Sequence, residues 1–246
     1  MSAPLPPSVA EAVKNSGYDP TACEFRPFDI IERTIARRMT TSYTEVPHFH
    51  LTSEAWVGDL LAWRTRFNRE ASTRVSLNDL LIKACALALR EVPEVNASYV
   101  EQGAVRHRDV DVAVAVAIPG GLVTPIIRRA DTKAAQDIAL EMKDLAERAR
   151  CKTLKPNEYY GGGFTISNLG MFGVSSFTSI INQPQSCILS VGGVSKRYRF
   201  RGEEPFVADV MNLTLNCDHR LINGALAARW IETLIHLLAT PEAWAC

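Results

Sequence analysis

The sequence predicts an α/β domain built on a large mixed sheet. Two observations carry this. Helical and strand periodicities interleave along the chain instead of falling into separate blocks. The run Val110 to Ile118 alternates valine and alanine with almost nothing polar, the pattern of a strand covered on both faces. A length of 246 residues without an internal repeat favours one large domain over two small ones.

Taken in order, residues 1–24 are rich in proline and alanine and read as a linker or arm, with the domain proper at 25–246. Asp29 and Glu32 have capping-box spacing ahead of Ile30, Ile31, Ile35, Ala36 and Met39, which repeat at helical intervals; that helix must stop before Pro47. His48 to Glu54 alternates as a strand, and Val57 to Ala71 is amphipathic. Ser76 can cap a helix with Asp79 in its first turn and a stripe of Leu80, Leu81, Ala84, Leu87 and Ala88. After Val110–Ile118, a Gly120-Gly121 turn leads into a strand from Leu122 to Ile127. Thr132 opens a charged helix running to about Cys151. Strands are expected at Phe164–Asn168, Ser186–Val191 and Val207–Cys217, and a last helix from Gly224 to Ala239 ahead of Pro241. Its stripe of Leu221, Leu226, Trp230, Leu234 and Leu237 is core or interface.

Composition narrows the function. Lys plus Arg and Asp plus Glu both number 27, so no global field draws the chain to nucleic acid or to an anionic membrane. The apolar run at 112–118 meets Pro119-Gly120-Gly121 and is too short to span a bilayer, and the first residues lack a secretory pattern. The six cysteines are scattered without metal-ligand spacing. They read as reduced, buried thiols of a cytosol-like compartment, and no metal is expected.

Two segments could carry chemistry. In Val210 to Trp230 a strand ends, Asp218-His219-Arg220 follows, and Asn223-Gly224 opens a helix. A histidine in such a loop can present an imidazole that titrates near neutrality, although most histidines in loops only pack or cap. In Gly161 to Gly192, Thr165 and Ser167 share one face of a strand. A hydroxyl there could donate to a developing oxyanion; its plainer role is a satisfied polar strand face.

Together these segments resemble a known family. Phe164-Thr-Ile-Ser-Asn-Leu-Gly-Met-Phe-Gly173, Ile180-Ile-Asn-Gln-Pro-Gln185 and Asp218-His-Arg220 with Gly224 look like the catalytic domain of the dihydrolipoyl acyltransferases, core subunits of the 2-oxoacid dehydrogenase complexes. Ile35-Ala-Arg-Arg-Met39, Val46-Pro-His-Phe49, Leu77-Asn-Asp-Leu80, Pro93-Glu-Val-Asn96 and the stretch from Asp111 to Pro125 extend the match from about Phe28 to Pro241.

The resemblance implies a fold like chloramphenicol acetyltransferase. It also implies a homotrimer with active sites at the subunit interfaces, which in relatives builds larger cubic shells. Coenzyme A would enter as substrate from one end and a lipoyl group, carried by a lipoyl domain on another chain, from the other. His219 matches the catalytic histidine; Ser167, with Thr165 second, matches the hydroxyl that stabilises the tetrahedral intermediate. Asn223 stands where the family usually has aspartate, the partner of an arginine matched here by Arg37 or Arg38. Asp218 and Gly224 support the site. Asn78 and Asp79 lie in a region near coenzyme A, though capping explains them as well. Arg128 could meet phosphates or simply be solvated. Phe49 and Met171-Phe172 are candidates to line the acyl pocket, with acetyl favoured, and Trp244 stands near where relatives dock trimer on trimer. The implied partners are the decarboxylase and dihydrolipoyl dehydrogenase subunits, and the compartment is a bacterial cytoplasm ahead of a mitochondrial matrix. Two other functions stay open: a scaffold with weak catalysis, and a free-standing coenzyme A-dependent acyltransferase with a different acceptor.

Overall fold

A computed structural model describes residues 5–245. The region expected as a linker carries helix α1 (Pro7–Asn15), opened by proline at its first position, and none of its residues is buried. Helix α2 (Ile30–Glu45) starts as its residues dictate: Glu32 N–H donates to Asp29 Oδ1 at 2.7 Å and Asp29 N–H to Glu32 Oε2 at 2.9 Å. Strand β1 (His48–Trp56) and helices α3 (Gly58–Glu70) and α4 (Leu77–Glu91) follow. Ser76 and Asp79 close a second capping box at the head of α4.

A hairpin without strong sequence signal comes next, β2 (Ala97–Val100) with β3 (Gly103–Arg106). The stretch expected as one strand at 110–118 breaks at Ala115. Strand β4 (Val112–Val114) lies in the main sheet, fully buried, whereas β5 (Val116–Ile118) pairs with β6 (Gly121–Val123) in a separate ribbon. Ala117 there is exposed, so burial on both faces holds only for β4. The expected 122–127 strand likewise divides into β6 and β7 (Ile126–Ile127) around Pro125, which cannot donate to a ladder. Helix α5 (Ala135–Arg150) begins three residues after Thr132, which instead ends a single 3₁₀ turn.

Strand β8 (Phe164–Asn168) is followed by β9 (Cys187–Arg201), β10 (Glu204–Asp218) and α6 (Gly224–Ala239). Strand β9 runs ten residues past its expected end. Gly192 and Gly193 make a bulge opposite Met211–Leu213 instead of a stop, and the two strands continue as a ribbon beyond the end of β1. Gly192 is required by close approach: a Cβ would lie 2.1 Å from Ser175 O.

The main sheet has the order β1-β10-β9-β8-β4-β7, antiparallel at both ends and parallel at β9-β8-β4. Its two faces differ. Leu213, Leu215 and Cys217 of β10 with Leu189, Val191 and Cys187 of β9 point into a core shared with α4 and α6. Phe164 and Trp230 meet there at 4.9 Å between ring centroids, both fully buried. Truncating either to alanine should cost about 3–5 kcal/mol. The opposite face carries Thr214, Asn216, Asp218, Ser190, Thr165 and Ser186, all buried. Residues 174–182 lie over it: Gly193 N–H donates to Val174 O at 2.8 Å, Asn212 Nδ2 to Ser175 O at 2.9 Å, and the Ser179 and Ser190 hydroxyls meet at 2.7 Å. A polar face sealed this way is affordable because its groups are paired.

Trp244 packs against the core of its own chain and donates Nε1–H to Leu237 O at 2.8 Å. Cys85, Cys187 and Cys217 are buried as expected, whereas Cys23 is half-buried and Cys151 exposed; all five are unpaired. Cys246 lies outside the described residues. Among the described residues no helix is long and apolar enough to cross a membrane.

Candidate active site

The histidine half of the site forms where β10 ends. His219 N–H donates to Pro47 O at 3.0 Å, extending the β1–β10 pairing by one residue. The chain then turns tightly around Asp218: Leu221 and Ile222 N–H reach its carbonyl at 3.0 and 2.9 Å, and Arg220 N–H reaches Oδ1 at 3.0 Å. Asn223 caps α6, its Oδ1 accepting from Leu226 N–H at 2.9 Å. Gly224, next in line, packs beside the Phe49 ring.

With its backbone fixed, His219 projects an exposed imidazole that meets Phe49 edge-on, 5.0 Å between centroids at 73°. Neither ring nitrogen has a hydrogen-bond partner among the described residues, so the ring is free to exchange a proton with a bound group. Asp218 does not hold that ring. Its buried carboxylate is gripped by the Arg220 guanidinium, Nη2 to Oδ2 at 2.7 Å and Nε to Oδ1 at 2.9 Å, which raises the pKa of the guanidinium. Arg220 in turn lies 3.8 Å from the ring centroid of Tyr99 on β2.

The hydroxyl half lies on β8. Thr165 is buried and donates to Gln185 Oε1, so its hydroxyl is committed inside the protein and the second candidate for oxyanion donor is a structural residue. Ser167 is half-buried, with no hydrogen-bond partner for its hydroxyl among the described residues. Asn168, next to it, ties the strand end down: Oδ1 accepts from Gly170 N–H at 2.9 Å and Nδ2 reaches Asn78 Oδ1 at 3.4 Å. Asn78 therefore belongs to the Ser167 half.

The two halves are far apart in one chain. Ser167 pairs with Ser190, Ser190 with Thr214, and His219 stands five residues beyond Thr214. At about 4.8 Å per strand and about 3.3 Å per residue, the two Cα atoms are on the order of 15–20 Å apart. Ser167 also shares its sheet face with Asp218, whereas His219 leans on Phe49, which pairs with core-facing Cys217.

Other expected residues fall elsewhere. Arg37 and Arg38 are exposed on α2 and line a cavity of about 330 Å³ with Met39, Thr41 and the 182–184 turn; Arg38 lies 5.4 Å from the ring centroid of Tyr160. Neither bonds Asn223, which acts as a helix cap, so no buried guanidinium is left unpaired by the asparagine. Arg128 is not a free phosphate ligand. Its guanidinium bonds Asp111 Oδ2 at 2.7 Å and the carbonyls of Asn157 and Tyr160 at 2.8 and 2.9 Å. Asp79 is a capping residue, and burial holds its pKa above the ordinary value. His48 is packed, its Nδ1 against Val46 O at 2.8 Å and its Nε2 accepting from Ile181 N–H at 3.1 Å. Met171 and Phe172 are among the most exposed apolar side chains, at 78% and 70%.

Three residues contribute without a role having been expected for them: Gln185 and Arg220, which close two of the motifs quoted above, and Tyr99, which lies outside them. The grip of Arg220 on Asp218 is signalled only by its place two residues after an aspartate in a turn. The other two depend on the β2–β3 hairpin and the 182–185 turn meeting, as the Ser98–Gln185 bridge shows.

The sheet thus presents an imidazole without a hydrogen-bond partner among the described residues at one strand end and a hydroxyl without one on another strand, the two parts of the candidate site. The family described as 2-oxoacid dehydrogenases acyltransferase (catalytic domain) matches residues 21–246, and the chain belongs to that family. A dihydrolipoyllysine-residue acetyltransferase component of the pyruvate dehydrogenase complex from Rhizobium meliloti is 41% identical over 231 residues, covering 91% of this chain and 52% of the relative. The chain thus spans about half the length of that relative. Two solved structures each superpose with a TM-score of 0.88 at 34% identity, covering 98% of both chains. One is the Azotobacter vinelandii dihydrolipoamide acetyltransferase studied for the roles of a serine, a histidine and an asparagine in its catalytic mechanism. The other is the cubic core of a pyruvate dehydrogenase multienzyme complex. Chloramphenicol acetyltransferase superposes at 0.54 with 16% identity, over 82% of this chain and 94% of that one, a likeness of fold alone.

Proposed function

We propose that this chain transfers an acyl group, acetyl before others, between dihydrolipoamide and coenzyme A, at a site completed by a second copy of itself. The observation that supports this most is the His219 imidazole: exposed, without a hydrogen-bond partner among the described residues, and held on a turn whose backbone is fixed on both sides.

The chemistry follows from thiols. A free thiol is mostly protonated at neutral pH, while its thiolate is the nucleophile. His219 takes the proton as sulfur attacks the thioester carbonyl. The new carbon–sulfur bond leaves negative charge on the carbonyl oxygen, and the Ser167 hydroxyl of a neighbouring copy donates to it. As the intermediate collapses the second sulfur leaves and takes the proton back from His219. Both substrates are thiols of similar acidity, so the same groups serve both directions. Asn223, with its oxygen occupied by the helix cap, keeps its amide N–H groups as donors.

Spacing supports these roles. In the Azotobacter protein the histidine stands 52 positions after the serine and the asparagine four after the histidine, and Ser167, His219 and Asn223 stand at the same intervals. The assembly is a homotrimer acting as core of a pyruvate dehydrogenase-type complex, with a lipoyl domain, a decarboxylase and a dihydrolipoyl dehydrogenase as partners. The test is an assay with acetyl-CoA and dihydrolipoamide, followed by formation of acetyl-dihydrolipoamide. Turnover by the wild type and its loss in His219→Ala is expected. No turnover with any of several acyl-CoAs would overturn the reading.

A further inference from the structure

We propose that Arg220, stacked on Tyr99, is a positioning residue for His219: it neutralises Asp218 and locks the turn that carries the imidazole. This rests on the acyltransferase reading above and adds a role which that reading does not need.

Three observations converge on Arg220. Its fork grips the Asp218 carboxylate through two nitrogens, at 2.9 and 2.7 Å, while its own backbone N–H bonds the same carboxylate at 3.0 Å. One side chain therefore closes a ring around the residue between them, His219. Asp218 is only 3% exposed, and a buried carboxylate needs a partner. The guanidinium plane is itself fixed from outside the turn, lying 3.8 Å from the centroid of Tyr99. Tyr99 belongs to the hairpin whose neighbouring residues tie down the ends of β9 and β10: Ser186 Oγ donates to Ala97 O at 2.6 Å and Asp218 N–H to Ser186 O at 2.8 Å. The turn is thus braced against a separate element.

Electrostatics give the arrangement a second consequence. The ionisable groups around the turn are Asp218 and Arg220 on it, Tyr99 on β2, Glu45 at the end of α2, His48 on β1 and the buried thiols of Cys187 and Cys217. An uncompensated Asp218 carboxylate one residue from the imidazole would favour the imidazolium, and an imidazolium cannot act as base. Arg220 cancels that charge.

The test measures the pH dependence of kcat/KM for acetyl transfer to dihydrolipoamide by the assembled enzyme. Arg220→Met is expected to move the acid limb up and to lower kcat about tenfold or more, with KM for acetyl-CoA within about twofold. Arg220→Lys should restore the limb, since charge returns, but only part of kcat, since the fork and stack do not. Tyr99→Leu should lower kcat and leave the limb in place. Sedimentation and thermal unfolding separate these effects from loss of assembly. An acid limb unmoved in Arg220→Met, whatever its rate, overturns the inference while wild-type turnover keeps the acyltransferase reading. A wild type without turnover removes both.

Discussion

Ser167 and His219 are held by one sheet yet cannot meet in one chain. The register from β8 through β9 to β10 sets them two strands and five residues apart, with their side chains directed to different faces. A carbonyl carbon needs its base and its oxyanion donor within a few ångströms of each other. Rigid strands do not close a gap on the order of 15–20 Å. The structure of the single chain therefore argues that a catalytic pair of these two residues is assembled between copies.

A site assembled between copies should show complementation. Ser167→Ala and His219→Ala should each be nearly inactive, the first down by about 10² to 10³ in kcat and the second by about 10² to 10⁴. Co-expressed in equal amounts, the two variants should regain up to about a quarter of wild-type activity, because that share of interfaces in a cyclic oligomer pairs an intact serine with an intact histidine. Activity no greater than the sum of the separate variants would place both residues in one chain's site.

The two hydroxyls of β8 should behave oppositely on mutation. Thr165 bonds Gln185 in the interior, so Thr165→Ala should destabilise the fold by about 1–3 kcal/mol by leaving a buried acceptor unmet. Ser167 has no such partner, so Ser167→Ala should leave the denaturation midpoint unchanged and remove activity. Chemical denaturation beside the transfer assay reads both. A Thr165→Ala protein of normal stability and lost turnover would reverse the assignment.

Much of this was legible in the sequence because it is local. Capping boxes at Asp29 and Ser76, the turn at Asp218-His219-Arg220 and the alternation along β10 are written within a few residues. What is absent from the sequence is what distant elements do to a side chain. Nothing near Arg128 announces that its guanidinium is taken by Asp111 and two carbonyls. Nothing near Thr165 tells its hydroxyl from that of Ser167, since both sit on the same face of one strand and only the 182–185 turn separates their fates. Gly192-Gly193 misleads for the same reason: glycines that usually end strands here admit the backbone of Ser175.

Arg128 gives a test of that kind. Removing its guanidinium frees Asp111 and the carbonyls of Asn157 and Tyr160, loosening the approach to β8. Arg128→Ala should lower Tm by a few degrees while KM for acetyl-CoA stays within about twofold. A tenfold rise in KM at unchanged Tm would return Arg128 to the phosphates.

Acid should weaken one identifiable contact between the end of α5 and that same approach. The Arg148 guanidinium bonds Glu158 through two nitrogens at 2.7 and 2.8 Å, and with a second bond from Lys155 N–H it pulls the Glu158 carboxyl down to about 2 from the ordinary 4.5. A carboxyl whose pKa is lower in the folded than in the unfolded state contributes stability above the ordinary value, and loses it as pH falls towards the folded one. Glu158→Gln should therefore be less stable than the wild type at pH 7, with the difference shrinking below about pH 4.5 and closing near pH 2. Denaturant midpoints of the two proteins at pH 7, 5 and 3 measure it. A difference that stays constant across that range would mean that the ion pair contributes nothing and that the glutamine destabilises through packing alone.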